Sequence, residues 1–221
     1  MARIETGILI GVSGRIGNVV SCYRHGKYYL RTLPEKVNHP NTDKQMAQRM
    51  RFTMIQQFLQ PIRKFIKLGF GAYADGRTAL NAAMSYNLEH ALTGSYPNIV
   101  IDPSVARVSQ GNLPGVAQAS MVQNGTHSIS FFWENLAMEK GAKDTDIAVV
   151  LLFDPRTNYA VWSTNAGKRA DGQANILLTE TPHNIKLNGY MCFINEAVLA
   201  GKLTAANISD SCFCGLVEME G

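Results

Sequence analysis

Four groups of residues in this chain have types that could do chemistry: a glycine-rich turn, the cysteines, a set of aspartates and a run of cations. Gly11-Val-Ser-Gly14-Arg-Ile-Gly17, after Ile8-Leu9-Ile10, has the look of a turn that cradles a dinucleotide pyrophosphate. That chemistry requires a helix to open at the turn, so that its free N–H groups hold the phosphates. Here Asn18-Val19-Val20-Ser21-Cys22-Tyr23 follow, a strand composition, and no later strand ends in an acid placed for a ribose. The segment reads as a lead into a hairpin. Cys212 and Cys214 put two sulfurs on one face of a strand and, with Cys192, would make a thiolate metal site. No C-x-x-C accompanies them, and His25, His39, His90, His127 and His183 form no i,i+4 pair, so buried free thiols are expected and no metal. Asp144, Asp146 and Asp154 suggest a carboxylate pair or a calcium loop. They lack the glycine-bearing loop and terminal Glu of an EF-hand, and are expected to be solvated turn acids. No serine occupies a Gly-x-Ser-x-Gly elbow and no Walker sequence is present. Catalytic residues, cofactors and metals are therefore all expected to be none, and the chain is expected not to be an enzyme.

The cations are the informative group. Residues 44–74 hold Lys44, Arg49, Arg51, Arg63, Lys64 and Lys67 without one Asp or Glu. A helix surface of cations and glutamines cannot neutralise itself through i,i+4 ion pairs, so its field reaches outward, to a partner or to the chain's own acidic half. Arg51 differs, because on the helical wheel it aligns with Ile55, Phe58 and Ile62; it is expected to be a structural arginine tying the helix to the hairpin or to the sheets. Tyr23, Arg24, Lys27, Tyr28, Tyr29 and Arg31 interleave aromatics and cations on a ribbon, a pattern suited to phosphates and bases or to an ordinary exposed face. The candidate partner-binding residues are Arg24, Lys27, Tyr28, Arg31, Arg49, Arg63, Lys64 and Lys67.

The elements that carry these residues follow from pattern. Residues 16–23 and 27–33, rich in β-branched and aromatic types, flank Arg24-His25-Gly26 and predict a hairpin. Pro34 and Pro40 mark an extended connector. Thr42-Asp43-Lys44-Gln45 reads as a capping box, opening a helix whose apolar positions run from Met46 to Ile66, with Pro61 set to kink or break it near Phe58. Residues 78–92 predict a second helix, capped by Gly94. From residue 98 onward the rhythm changes to eight short strands: 99–102, 116–122, 128–133, 146–153, 159–164, 175–179, 189–195 and 212–219. Ile147–Phe153 is apolar throughout, which places it mid-sheet or under a cover.

Composition bounds the class. With 46% hydrophobic and 17% charged residues over 221 positions, long disorder is excluded, and apolar runs are too short for a membrane helix. The opening residues lack the sustained apolar stretch of a secretory signal, so a cytoplasmic protein is expected. Residues 1–95 carry 13 Lys+Arg against 5 Asp+Glu and residues 96–221 carry 8 against 12, so the two halves differ electrostatically.

Within residues 126–219, Ser128–Trp133 resembles the second strand of a fibronectin type III or immunoglobulin-like sandwich, and Gly189–Ile194 its penultimate strand. The resemblance implies that Trp133 fills the core and that Tyr190 makes a corner hydrogen bond. Residues 196–207 are long for a connection there, and a short helix is expected. Over its whole length the chain also resembles a family of Bacteroidetes proteins of unknown function, through Gly14-Arg-Ile-Gly17-Asn-Val-Val20, Arg31 with Pro34, Thr42–Gln45, Gln48-Arg49, Gly69-Phe70, Asn81–Asn87 and Ser109–Leu113. That likeness implies no activity.

The expected fold class is α+β: an N-terminal β-hairpin plus two helices, followed by an immunoglobulin-like β-sandwich. Residues 1–97 are expected to form a basic hairpin and helical region, and residues 98–221 a mildly acidic sandwich. The expected function is a non-catalytic protein–protein interaction or assembly module, with an unidentified protein or a second copy as partner and no membrane. The alternative is a nucleic-acid-associated protein using the basic hairpin and helix.

Overall fold

The structure, a computed structural model, describes residues 2–4, 11–24, 26–33, 41–125, 127–135, 141–178 and 184–219. His25 and Pro34–Pro40 of the expected connections lie outside the described residues. The chain divides into two compact units, Met1–Thr42 and Asp43–Gly221.

The first unit is a single antiparallel sheet of β1 (Ala2–Ile4), β2 (Gly14–Ile16), β3 (Val19–Arg24) and β4 (Lys27–Thr32), in the order β1-β4-β3-β2. The glycine-rich turn leads into strands, as its β-branched continuation dictates, and Gly17 (φ 58°) closes the β2–β3 connection. The expected hairpin is the β3–β4 pair, with Arg24 opposite Lys27. No apolar side chain is buried among the described residues of this unit; Ser21 is its buried residue, its hydroxyl donating to the Val12 carbonyl at 2.7 Å.

The second unit begins with α1 (Asp43–Leu59), α2 (Arg63–Gly69) and α3 (Ala79–His90). Pro61 breaks the long apolar stripe into two helices, since it has no N–H to continue the ladder. The Thr78 hydroxyl accepts from the Asn81 N–H at 3.1 Å and opens α3. Gly94, expected to cap this helix, belongs instead to a hairpin of β5 (Leu92–Ser95) and β6 (Asn98–Ile101), where an added Cβ would come within 2.3 Å of the Asn98 carbonyl. Helix α3 closes through the Ala91 N–H, which donates to the Asn87 carbonyl at 3.0 Å.

Seven strands follow: β7 (Ala117–Gln123), β8 (Ser128–Glu134), β9 (Ile147–Asp154), β10 (Tyr159–Lys168), β11 (Gln173–Leu177), β12 (Ile185–Ile194) and, after the short α4 (Glu196–Leu199), β13 (Cys212–Met219). They form a three-stranded sheet, β11-β8-β7, and a four-stranded sheet, β10-β9-β12-β13, every pairing antiparallel. Between these sheets pack Ile129, Phe131 and Trp133 against Ala148, Val150, Leu152, Met191 and Phe193. The other face of the four-stranded sheet, with Val149, Leu151, Phe153, Tyr190 and Cys192, is covered by Ile55, Phe58, Phe65, Ile66 and Ala83 of the helices. Strand β9 is thus buried on both faces, which explains its unbroken apolar run. The helices share a core with the sheet, so the unit boundary falls after Thr42 rather than after residue 97. No described helix is long and apolar enough to cross a membrane.

The structural side chains are placed as follows. Trp133 fills the sandwich, edge-on to Phe193 at 5.9 Å, and donates from Nε1 to the Arg169 carbonyl at 2.9 Å. Tyr190 faces the helical layer, and its hydroxyl donates 2.7 Å to the Pro103 carbonyl, a long-range tie in place of a corner bond. Arg51 donates from Nη2 to the Leu88 carbonyl at 3.0 Å, so its partner is the last turn of α3 and not the hairpin or the sandwich. Asp146 and Asp154, expected to be solvated, are 1% and 0% exposed. Asp146 accepts from Arg169, itself fully buried, and from the Lys143 N–H. Asp154 holds the Arg156 and Lys186 N–H groups.

Candidate functional site

The exposed side of α1 and α2 is a strip of amides and cations: Gln45, Arg49, Gln56, Gln57, Gln60, Arg63, Lys64 and Lys67 are all exposed. Arg49, Arg63, Lys64 and Lys67 form no ion pair with a described carboxylate. Four cations elsewhere in the second unit do have acidic partners. Arg107 pairs with Asp210 at 2.7 Å, Arg156 with Asp154 at 3.3 Å, Arg169 with Asp146 at 3.1 Å, and Lys186 with Glu218. Along residues 44–69 the cations lack such partners because the sequence there contains no acid.

In the first unit the strand register decides which side chains can act together, because directly opposed residues share a face. Arg15 lies opposite Val20, Val20 opposite Arg31, Cys22 opposite Tyr29, Arg24 opposite Lys27 and Arg3 opposite Tyr29. Arg15, Lys27 and Arg31 therefore share one face with Tyr29. The other face carries Ile16, Val19, Tyr23, Tyr28 and Leu30 and, among the described side chains, no charge. Of the candidates on the ribbon, Lys27 and Arg31 are exposed on the cationic face and Tyr28 is on the opposite one, against Tyr23 at 4.6 Å between ring centroids, while the Arg24 side chain lies outside what the structure describes. Arg15, which lay outside the hairpin pattern, and Tyr29, which was in that pattern but not among the candidates, both belong to the cationic group. The signal that finds them is the period-two series Lys27-x-Tyr29-x-Arg31 and its continuation across the β2 register.

The described residues of the second unit form several clefts. Two adjoin along α1: one of about 460 Å³ lined by Thr53, Gln56, Gln57, Gln60, Pro155 and Asn158, and one of about 380 Å³ that adds Met54, Phe58, Ile101 and Arg156. A third, also about 460 Å³, lies between Tyr86, Arg107 and Asp210. There the Arg107 guanidinium sits 4.7 Å over the Tyr86 ring, and the second Asp210 oxygen accepts from the Gly111 N–H at 3.1 Å. The Ser211 hydroxyl accepts from the Val108 and Ser109 N–H groups, and burial pushes the Cys212 thiol up. The cleft's carboxylate and hydroxyl are occupied by structural contacts, and its thiol is protonated at neutral pH. Burial also pushes Cys192 up to about 11 and raises Cys214 strongly. No cluster of three metal-ligating side chains is present among the described residues.

In the segments Gly69-Phe70, Asn81–Asn87 and Ser109–Leu113, Gly69, Asn87 and Gly111 have structural roles in this fold. Asn87, fully buried, donates to the Ala83 and Arg107 carbonyls and accepts from the Arg107 N–H, each at 2.9 Å. A Cβ at Gly69 would come within 2.0 Å of the Val108 carbonyl, and one at Gly111 within 1.8 Å of the Ile208 carbonyl. Both glycines allow the strap at residues 106–113 to lie against its neighbours. A family model described as "Family of unknown function (DUF6266)" matches residues 11–208. The chain belongs to this family. The DUF6266 match takes in β2 through β12 and ends before β13. No protein with a curated description matches. Among solved structures, the fibronectin type III domain of human contactin 1 is similar at 13% identity, over 58% of this chain and 92% of that one, with a TM-score of 0.32. At that score the likeness carries no argument, and the sandwich rests on its own strand order. In that order the fourth strand, β10, pairs with β9 and not with β11. The result is a three-on-four sandwich rather than the four-on-three of constant-type immunoglobulin domains.

Proposed function

We propose that this DUF6266 chain is a non-catalytic interaction module, a sandwich with a helical cover that presents cationic surfaces to an acidic protein or to a second copy. One observation carries this reading. The helical cations are exposed and make no ion pair with a described carboxylate, whereas Arg107, Arg156, Arg169 and Lys186 are each matched to an acid. Unmatched charge on a fixed surface steers a partner of opposite sign. The buried thiols are protonated and the buried acids saturated with donors, which supports a binding role over nucleophilic or acid–base chemistry.

The test is fluorescence anisotropy of a labelled polyglutamate peptide with the full chain at low salt, beside light scattering across concentrations. Binding or self-association that weakens with salt is expected, and the Arg63→Glu, Lys64→Glu, Lys67→Glu triple variant should reduce it at least tenfold. A strictly monomeric chain that ignores the peptide overturns the reading.

A further inference from the structure

We infer that the cationic face of the N-terminal sheet is a platform for single-stranded nucleic acid, gripping phosphates with Arg15, Lys27 and Arg31 and stacking a base on Tyr29. This names the partner of one of the surfaces, and rests on the reading that unmatched cations here are docking groups.

The first observation is sorting. By register Arg15, Lys27 and Arg31 all belong to one face, while the opposite face has no charge among the described side chains. An ordinary solvated sheet face mixes signs, because like charges set side by side destabilise the pairing. No Asp or Glu occurs within the four strands. Such a face is most stable with a polyanion on it. The second observation is density. Four strands at ~4.8 Å spacing and six residues at ~3.4 Å make a face ~14 Å by ~20 Å, on which Arg15, Lys27 and Arg31 stand. A protein partner rarely answers this, since interface centres are depleted of charge. A phosphate backbone repeats its charge at every nucleotide.

The third observation is shape. A sheet ~14 Å across between outer strands, before its side chains are added, is wider than the ~12 Å major groove, so a duplex would meet it only along its backbone. A single strand can lie flat, and Tyr29, half-buried and opposite Cys22 in register, offers it a ring face. Arg15 is held in place by its Nε, which donates to the Gly17 carbonyl at 2.8 Å and leaves the guanidinium end toward solvent.

The experiment is anisotropy of a fluorescein-labelled oligothymidylate and oligouridylate 12-mer with the full chain. Polyglutamate peptide and a DNA duplex of the same length serve as competitors. Binding is expected to weaken about twentyfold between 50 and 200 mM salt, a logarithmic slope of about −2 for three contacts at −0.7 each. Lys27→Gln with Arg31→Gln should lower the slope to about −0.7. Tyr29→Leu should cost about tenfold while Tyr29→Phe, which keeps the ring, leaves affinity unchanged and reports on folding. The helix triple variant should bind the 12-mers as the parent does. Absence of binding to both oligonucleotides at 50 mM salt overturns the inference. So does equal binding by the Tyr29→Leu and Tyr29→Phe variants, or tighter binding of the duplex. Polyglutamate binding with no oligonucleotide binding sinks this inference and leaves the interaction module standing; neither ligand binding sinks both.

Discussion

Replacing Arg169 by Met should be among the most damaging single changes in the second unit. Arg169 is fully buried, and its Nε donates to Asp146 at 3.1 Å, Nη1 to the Gly115 carbonyl at 3.2 Å and Nη2 to the Pro114 carbonyl at 2.8 Å. Its guanidinium lies 3.8 Å from the centre of the Phe193 ring. Removing it leaves the Asp146 carboxylate, 1% exposed, with the Lys143 backbone N–H as its donor in this network. Breaking a buried pair by deleting one partner costs about 3–5 kcal/mol. For a cooperative unit of this size each kcal/mol lowers the melting temperature by about 2–4 °C, so a fall of about 6–20 °C is expected. Adding Asp146→Asn removes the stranded charge while retaining an acceptor for the Lys143 N–H. The double variant should then recover at least ~1 kcal/mol relative to the sum of the singles, the coupling expected of groups in direct contact. Urea denaturation followed by circular dichroism measures all four proteins. The reasoning is refuted if Arg169→Met lies within about 1 kcal/mol of the parent, or if the double equals the sum, because either result would mean that water reaches the pair.

Two further expectations follow from titrating groups. Burial pushes the Asp154 carboxyl up, but the Arg156 N–H and guanidinium and the Lys186 N–H outweigh it, so the group ends below the usual carboxylate value. Its contribution is therefore fully present above the unfolded value of about 3.9 and is lost as pH falls from there toward the folded value. Asp154→Asn should flatten the acid limb of the stability–pH curve in urea titrations, and an unchanged limb would count against the assignment. Among the cysteines, Cys192 is held protonated by burial, up to about 11, and Cys214 is raised as well. Thiol titration at pH 8 should modify at most Cys22 and Cys212 in the native chain and all four in denaturant, and rapid native labelling of Cys192 would contradict its placement.

The fold was legible where periodicity and burial coincide. Each of the eight expected strands is present to within a few residues, and β9 announces its double burial by carrying no polar residue between Ile147 and Phe153. Pro61 marks the helix break for a purely local reason, the missing N–H. Layering was not legible. Nothing in residues 43–90 says that their apolar face meets the outer side of the sandwich sheet, because any apolar surface of similar size would satisfy the same pattern. For the same reason Arg51 could be assigned a carbonyl partner but not the right one, and Gly94 was drawn to a helix end although the hairpin at Asn98 is what requires it.

The acids show where local reading fails by its nature. Asp146 and Asp154 border turns in sequence, and turn acids are ordinarily solvated. Their burial depends on Arg169, which lies 23 residues beyond Asp146, and on Lys186, which lies 32 beyond Asp154. Such pairs become visible only once strands are placed side by side. The cationic surfaces fall between these cases. Between residues 44 and 69 the absence of acids is a property of the sequence alone, and the cations and glutamines of that stretch named above are exposed. On the N-terminal sheet the residues were named but their grouping required register. Tyr28 and Tyr29 are adjacent in sequence and point to opposite faces, so Tyr29 joins the cations and Tyr28 joins Tyr23. A one-residue slip of β4 against β3 would exchange those roles. Whether Tyr29 or Tyr28 is the aromatic protected by an oligonucleotide therefore tests the register and the binding surface together.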